Sequence, residues 1–304
     1  MGRELAPARF HLEGSPPVSS KSPPMRLAIV TDEITPDFES AVRAARGWGI
    51  EWFEIRGLAS GRLPDVSRQD LDAVTRLVER EGARVSALSP GVFKVPVSAP
   101  EVARQLDETL PRTYALAQRW GAKIVIVFPF RKEDLAAPEP PDAVIEALRR
   151  AAREAAQAGL QVVLENERGT WAGTGAESAA LLRAAGHDNL RLNWDPGNAV
   201  AAGDTPYPDG YQAARGWVAH LHIKDERRSP TGFETVLPGD GEINWPGQFR
   251  ALLQDGYDGF FTIETHFGPG LETSQAATAR VRQMLHAAHL AVCPERIEGE
   301  RDDG

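Results

Sequence analysis

Four segments decide the fold: Leu164-Glu165-Asn166-Glu167, Asn193-Trp194-Asp195-Pro196-Gly197-Asn198, His220-Leu221-His222-Ile223-Lys224-Asp225 and Ile263-Glu264-Thr265-His266. Each closes a β-rich run with a side chain that can ligate a metal. Glu165, Asp195, His222 and Glu264 follow one another at intervals of 30, 27 and 42 residues. The first two intervals each fit one strand-plus-helix unit, and the third fits one unit plus an extended loop. In a closed barrel of parallel strands all carboxyl ends open on one face, where active sites sit. Three carboxylates and an imidazole gathered there can hold a divalent cation.

Outward from these segments the same alternation continues. Periodicity predicts strands at 26–31, 51–55, 84–88, 123–128, 160–165, 190–194, 218–223 and 259–263. Alanine- and leucine-rich stretches with helical spacing lie between them, at 37–48, 67–82, 101–120, 142–158, 177–185, 245–255 and 272–290. A shorter, weaker helix is predicted around 209–216, and Pro111 predicts a kink or break in the third helical stretch. Gly49, Gly82, Gly121, Gly159, Gly186 and Gly256 stand where helices end. Eight alternations in this length predict a single (β/α)8 TIM barrel, which typically takes ~250 residues. A doubly wound open sheet would carry a glycine-rich loop after its first strand. Here that position reads Thr31-Asp32-Glu33-Ile34-Thr35-Pro36, without glycine.

Side chains alternate along a strand with period two. Arg191, Asn193 and Asp195 therefore share one face of the sixth strand. Val218, His220, His222 and Lys224 share a face of the seventh, Thr262, Glu264 and His266 of the eighth, and Trp52, Glu54 and Arg56 of the second. The apolar faces must pack on the helices, so these polar faces line the barrel. Burying so many ionisable groups is costly unless they pair or bind a metal. His220, one step below His222, reads as a buried hydrogen-bonding residue rather than a ligand.

The chain has 304 residues, 42% hydrophobic and 25% charged, with a net charge of −9. That balance suits a soluble globular protein and argues against a broadly basic nucleic-acid surface. A single cysteine, Cys293, excludes an internal disulfide and a cysteine metal cluster, and fits a cytoplasmic location. No apolar run reaches the roughly 20 residues of a membrane helix. Residues 1–24, rich in proline and serine, read as a disordered extension, 25–291 as the barrel, and 292–304 as a charged tail.

The ligand series Glu165, Asp195, His222 and Glu264, the His-x-His-x-Lys-Asp segment at 220–225, the run Pro238-Gly239-Asp240-Gly241-Glu242-Ile243-Asn244-Trp245 and the Gly256-Tyr257-Asp258-Gly259 lead-in resemble the sugar phosphate isomerase/epimerase superfamily, the xylose-isomerase-like barrels. The resemblance covers about Arg26 to Leu290. It implies that Glu165, Asp195, His222 and Glu264 bind one Mn²⁺, Mg²⁺, Co²⁺ or Zn²⁺, and that Glu165 and Glu264 also move protons next to a carbonyl. It implies a small carbohydrate substrate. In related ketose epimerases a substrate-contacting histidine stands three residues after the aspartate. Asn198 occupies that position here and cannot titrate. An arginine six residues after the metal histidine also contacts substrate in those enzymes, and Arg228 holds that position.

The remaining residues carry weaker signals. Glu54 and Arg56 read equally as substrate contacts or as a buried ion pair. Lys224 reads as an oxyanion stabiliser or a partner of Asp225. Glu167 and Arg168 line the mouth or pair in solvent, Arg227 and Ser229 sit in the loop after the seventh strand, and Pro-Gly-Asp-Gly reads as a turn. The metal-dependent isomerase or epimerase reading competes with a dehydratase of a keto-cyclitol or dehydroshikimate-like acid, which uses the same proton abstraction. A non-catalytic binding barrel is a third reading. An apurinic-site endonuclease is disfavoured: it needs further histidines, and the third and fourth strands end in Leu88-Ser89-Pro90 and Phe128-Pro129-Phe130. The sequence is compatible with a homo-oligomer.

Overall fold

The computed structural model describes Met25 to Cys293; the expectations for residues 1–24 and 294–304 fall outside the described residues. Eight parallel strands close into a barrel: β1 (Arg26–Val30), β2 (Trp52–Ile55), β3 (Arg84–Leu88), β4 (Ile124–Val127), β5 (Gln161–Glu165), β6 (Leu190–Trp194), β7 (Val218–Ile223) and β8 (Phe260–Ile263). Neighbours in sequence are neighbours in the sheet. The barrel closes where β1 pairs with β8, Leu27 opposite Phe261 and Ile29 opposite Ile263. Helices cover the outside. In Asp142–Gln157, for example, Val144, Ile145, Leu148, Ala151, Ala152 and Ala155 form the buried stripe. Among the described residues no helix is long and apolar enough to cross a membrane.

The interior divides along the barrel axis. Ala28, Ala87, Ile124, Ile126, Phe128, Val163 and Phe260 form a second apolar cluster, separate from the core under the helices. Except for Phe128, which follows the carboxyl end of β4, they fill the lower lumen. Towards the carboxyl ends the inward faces carry Glu54, Glu165, Asn193, His220, His222, Thr262 and Glu264, all buried. The alternation predicted for β7 fails at its start. Val218 packs with the outer core and Ala219 against the lumen cluster. A register shift between Leu192 and Asn193, where β6 pairs β7, absorbs the offset, and His220 and His222 both face inward.

Pro111 does not break its helix. A π-helical turn at Gln105–Thr109 joins Glu101–Arg104 to Leu110–Trp120, so the ring sits at the start of a new α-helical run, where no amide is needed. The weak helix after β6 resolves into short pieces at Pro196–Ala201, Pro206–Gly210, Tyr211–Ala214 and Arg215–Trp217.

The long interval before β8 holds an antiparallel hairpin, Asp225–Ser229 with Gly232–Val236, followed by the Pro-Gly-Asp-Gly turn. Asp225 holds that turn. Its carboxylate accepts from the amides of Gly239 (2.7 Å), Gly241 (3.2 Å), Ile243 (3.4 Å) and Glu226 (3.0 Å). A Cβ at Gly241 would stand 2.0 Å from Asp225 Oδ1, so only glycine fits. Asp225→Ala should orphan these amides and lower the unfolding free energy by about 3 kcal/mol. Urea denaturation reads this directly, and an unchanged midpoint would show that the loop holds itself without Asp225.

Candidate metal and active site

The four residues singled out by spacing converge at the carboxyl-end mouth. One ligand atom from each of Glu165, Asp195, His222 and Glu264 lies within 4.8 Å of the others, and all four residues are buried. His222 Nδ1 is 3.4 Å from Glu165 Oε2 and 3.2 Å from Glu264 Oε2. Asp195 Oδ2, His222 Nδ1 and Glu264 Oε2 make no hydrogen bond although buried. Buried polar atoms are normally satisfied. Asp195 Oδ2 has the Lys224 ammonium beside it, while His222 Nδ1 and Glu264 Oε2 face each other in a group that could hold a metal ion.

Local sequence explains how each arrives. Asp195 ends β6 and caps the Pro196–Ala201 helix: its Oδ1 accepts from the Asn198 amide at 2.9 Å, which leaves Oδ2 for the site. Asn166 clamps the same backbone, accepting from Asp195 N at 2.8 Å and donating to Asp195 O at 2.9 Å. Asn193 and Asn198 donate to the two oxygens of Glu165 at 3.2 and 3.3 Å. Lys224 Nζ donates to Asn198 Oδ1 at 2.8 Å and stands 3.0 Å from Asp195 Oδ2 and 3.9 Å from Glu264 Oε2. Its partner is therefore Asp195 rather than Asp225. Gly197 gives it room, since a Cβ there would be 3.0 Å from Lys224 Cε.

The electrostatics are those of crowded charge. Burial pushes the Glu165 carboxyl up to about 7, and the neighbouring Glu264 and Asp195 add to it against His222 and Lys94. Burial also acts on Glu264, but His266 and His222 outweigh it and hold that carboxyl well below its usual range. For His222 burial is outweighed by Glu54, Glu264 and Glu165, which raise it. Lys224 is raised against burial by Asp195 and Glu264. A divalent cation among the carboxylates would relieve the repulsion that lifts Glu165.

Arg56 reaches the cluster as part of an ionic brace. Its Nε is 3.0 Å from Asp32 Oδ2, Nη2 2.7 Å from Glu33 Oε1 and Nη1 2.8 Å from Glu264 Oε1. His266, in a left-handed conformation (φ 55°), places Nε2 3.1 Å from the same Glu264 oxygen. Glu54 lies deeper: it is 1% exposed, and its oxygens face His220 and His222 rather than the open mouth. Arg228 lies on the hairpin, exposed, with Nε 3.1 Å from Glu242 Oε2. Among the described residues no ion pair joins it to the four ligands. Arg227 pairs with Glu234, and Glu167 with Lys94. Asn166, Asp32, Glu33 and Lys94 were missed by sequence reasoning, whereas period two had already put Asn193 on the inward face. Only Asp32-Glu33 carried a usable signal, as carboxylates directly after a strand.

This geometry has known relatives. The family described as xylose isomerase-like TIM barrel matches residues 42–287. An inosose dehydratase of Lacticaseibacillus casei is 27% identical over 157 residues, 46% of this chain and 52% of that protein. The chain thus spans about half the length of that curated relative. Among solved structures, an L-ribulose 3-epimerase superposes with a TM-score of 0.69 at 20% identity, over 92% of this chain and 100% of that one. A xylose isomerase-like TIM barrel protein from Mycobacterium smegmatis, in complex with magnesium, gives 0.68 at 21% identity, over 88% and 98%. With the family match running through most of the barrel, this chain belongs to the xylose isomerase-like TIM-barrel family.

Proposed function

We propose that this protein is a divalent-metal-dependent sugar or sugar-phosphate isomerase or epimerase, moving a proton next to a carbonyl. The observation that carries the reading is the convergence of four buried ligand atoms, with His222 Nδ1 and Glu264 Oε2 lacking hydrogen-bond partners. Glu165, Asp195, His222 and Glu264 would hold the ion; Mn²⁺, Mg²⁺, Co²⁺ and Zn²⁺ all accept such donors. Bound there, the ion supplies Lewis acidity towards a carbonyl oxygen and its developing negative charge.

The chain's own groups do the rest. Glu165 and Glu264 stand on opposite sides of the β7 histidine, so they can address a substrate carbon from different directions. One takes the proton from carbon and the other returns one, with no net redox change. Lys224 adds a donor beside Asp195 for a substrate oxygen, and Asn198, whose amide donates to Glu165 and to Asn166 O, holds Lys224 and Glu165 in place. The second reading, dehydration, draws on the inosose dehydratase relative and on Asn198, which cannot shuttle a proton where a histidine could. In that case the same abstraction is followed by loss of a β-hydroxyl as water.

Turnover of a panel of ketoses, ketose phosphates, inososes and dehydroshikimate in deuterated water tests both. The expected result is solvent deuterium at the substrate carbon with the mass otherwise kept. A product lighter by one water selects dehydration. No exchange and no product from any member of the panel would sink the proton-transfer reading.

A further inference from the structure

Glu54 points inward from β2 and is 1% exposed. Its Oε2 lies 2.9 Å from His220 Nε2, and both of its oxygens lie 3.1 Å from His222 Nε2. Thr262 Oγ1 also reaches His220 Nε2, at 3.1 Å. An ionised carboxylate only accepts hydrogen bonds, so each histidine must present an N–H at Nε2. In the metal-bound form the imidazole is neutral and carries one N–H. His222 Nδ1 is then left with its lone pair, facing Glu165 and Glu264 and without a hydrogen-bond partner. Ligation requires that arrangement.

The structure assigns Glu54 a positioning role: it fixes His222 as the Nε2–H tautomer, with Nδ1 aimed into the carboxylate cluster. This rests on the metal reading above and extends it to a residue whose oxygens face the two histidines rather than the open mouth. Carboxylates that orient a ligating imidazole strengthen metal binding by typically 10–100-fold. Sharing one carboxylate between two histidines makes its charge matter as well as its shape. Glutamine at this position offers one acceptor and one donor to two N–H groups. One amide hydrogen would then face an imidazole N–H, and one of the two rings must change tautomer or turn over.

Protein carrying ¹⁵N-labelled histidine and loaded with Mg²⁺ reports the tautomers by NMR, and titration with Mn²⁺ alone reports the affinity. Wild type should show His222 protonated at Nε2. Glu54→Gln should show a mixed tautomer population among His220 and His222 and a Mn²⁺ affinity roughly 10–100-fold weaker. Wild-type His222 protonated at Nδ1 instead would overturn the inference, and this measurement needs no variant to fold. Equal Mn²⁺ affinity in wild type and Glu54→Gln would overturn it too, while leaving the metal reading standing. Failure of the wild type itself to take up Mn²⁺ would overturn the metal reading and this inference with it.

Discussion

Combining His222→Ala with Asp195→Asn is expected to abolish divalent-ion binding. The pair removes one nitrogen and one charged oxygen from a four-atom set, while the asparagine can still cap the Pro196–Ala201 helix through its side-chain oxygen. The stability consequence has a definite sign. An ion present at about 100 times its dissociation constant stabilises the folded state by about 2.7 kcal/mol, roughly 5–10 °C in melting temperature for a domain of this size. Wild type should therefore melt higher with added Mn²⁺ or Mg²⁺, and the double variant should not respond. In chelator the double variant should still be the less stable protein, because it leaves the buried Lys224 ammonium without its carboxylate and Glu54 without one of its histidines. Elemental analysis after chelation and reconstitution, with melts at several ion concentrations, checks all of this. A double variant that still took up an ion as wild type does would place the metal elsewhere.

The barrel and the meeting of the four candidate residues at one mouth were legible for one reason. Strand side chains alternate except at a bulge, and helices of ordinary length space the strand ends, so Glu165, Asp195 and Glu264 could be assigned to one mouth from numbering alone. His222 followed from period two within His220-Leu221-His222. What could not be read was who meets whom inside the lumen. Glu54 and His222 are 168 residues apart and meet only because the barrel closes; period two put both inward without saying that one supports the other. Arg56 has the same history, with Glu264 208 residues away. Arg228 stands at the offset of a substrate-contacting position, on a hairpin whose pairing sets its surroundings, and its guanidinium lies beside Glu242. Loop positions follow local pairing, which spacing from a strand does not control. Val218 fails for a related reason, because a bulge shifts the pleat without leaving a mark in the residue pattern.

Glu165→Gln should cost more turnover than Glu264→Gln, although both residues belong to the same ligand set. The difference lies in their partners. Glu165 accepts only from the neutral amides of Asn193 and Asn198, at 3.2 and 3.3 Å. Glu264 is 2.8 Å from the Arg56 guanidinium and 3.1 Å from His266, with Lys224 at 3.9 Å. Cationic partners stabilise a carboxylate and make it a weaker base; neutral amides do so much less. Of the two, Glu165 is then better suited to take a proton from carbon, and Glu264 to remain an anion that holds charge in place. Loss of a general base typically costs 10²–10⁴-fold, about 3–5 kcal/mol in activation free energy. For Glu165→Gln the loss should fall on kcat with little change in KM, because the interaction is made in the transition state. Solvent deuterium incorporation should fall in parallel. Glu264→Gln should lose less in kcat and more in ion affinity, since it removes a charged ligand and leaves Arg56 facing a neutral amide. Steady-state kinetics at saturating Mn²⁺, with ion affinity measured separately, divides the two effects. Equal kcat losses in the two variants would mean that partner charge does not set their roles, and near-native turnover in both would remove the glutamates from the proton path altogether.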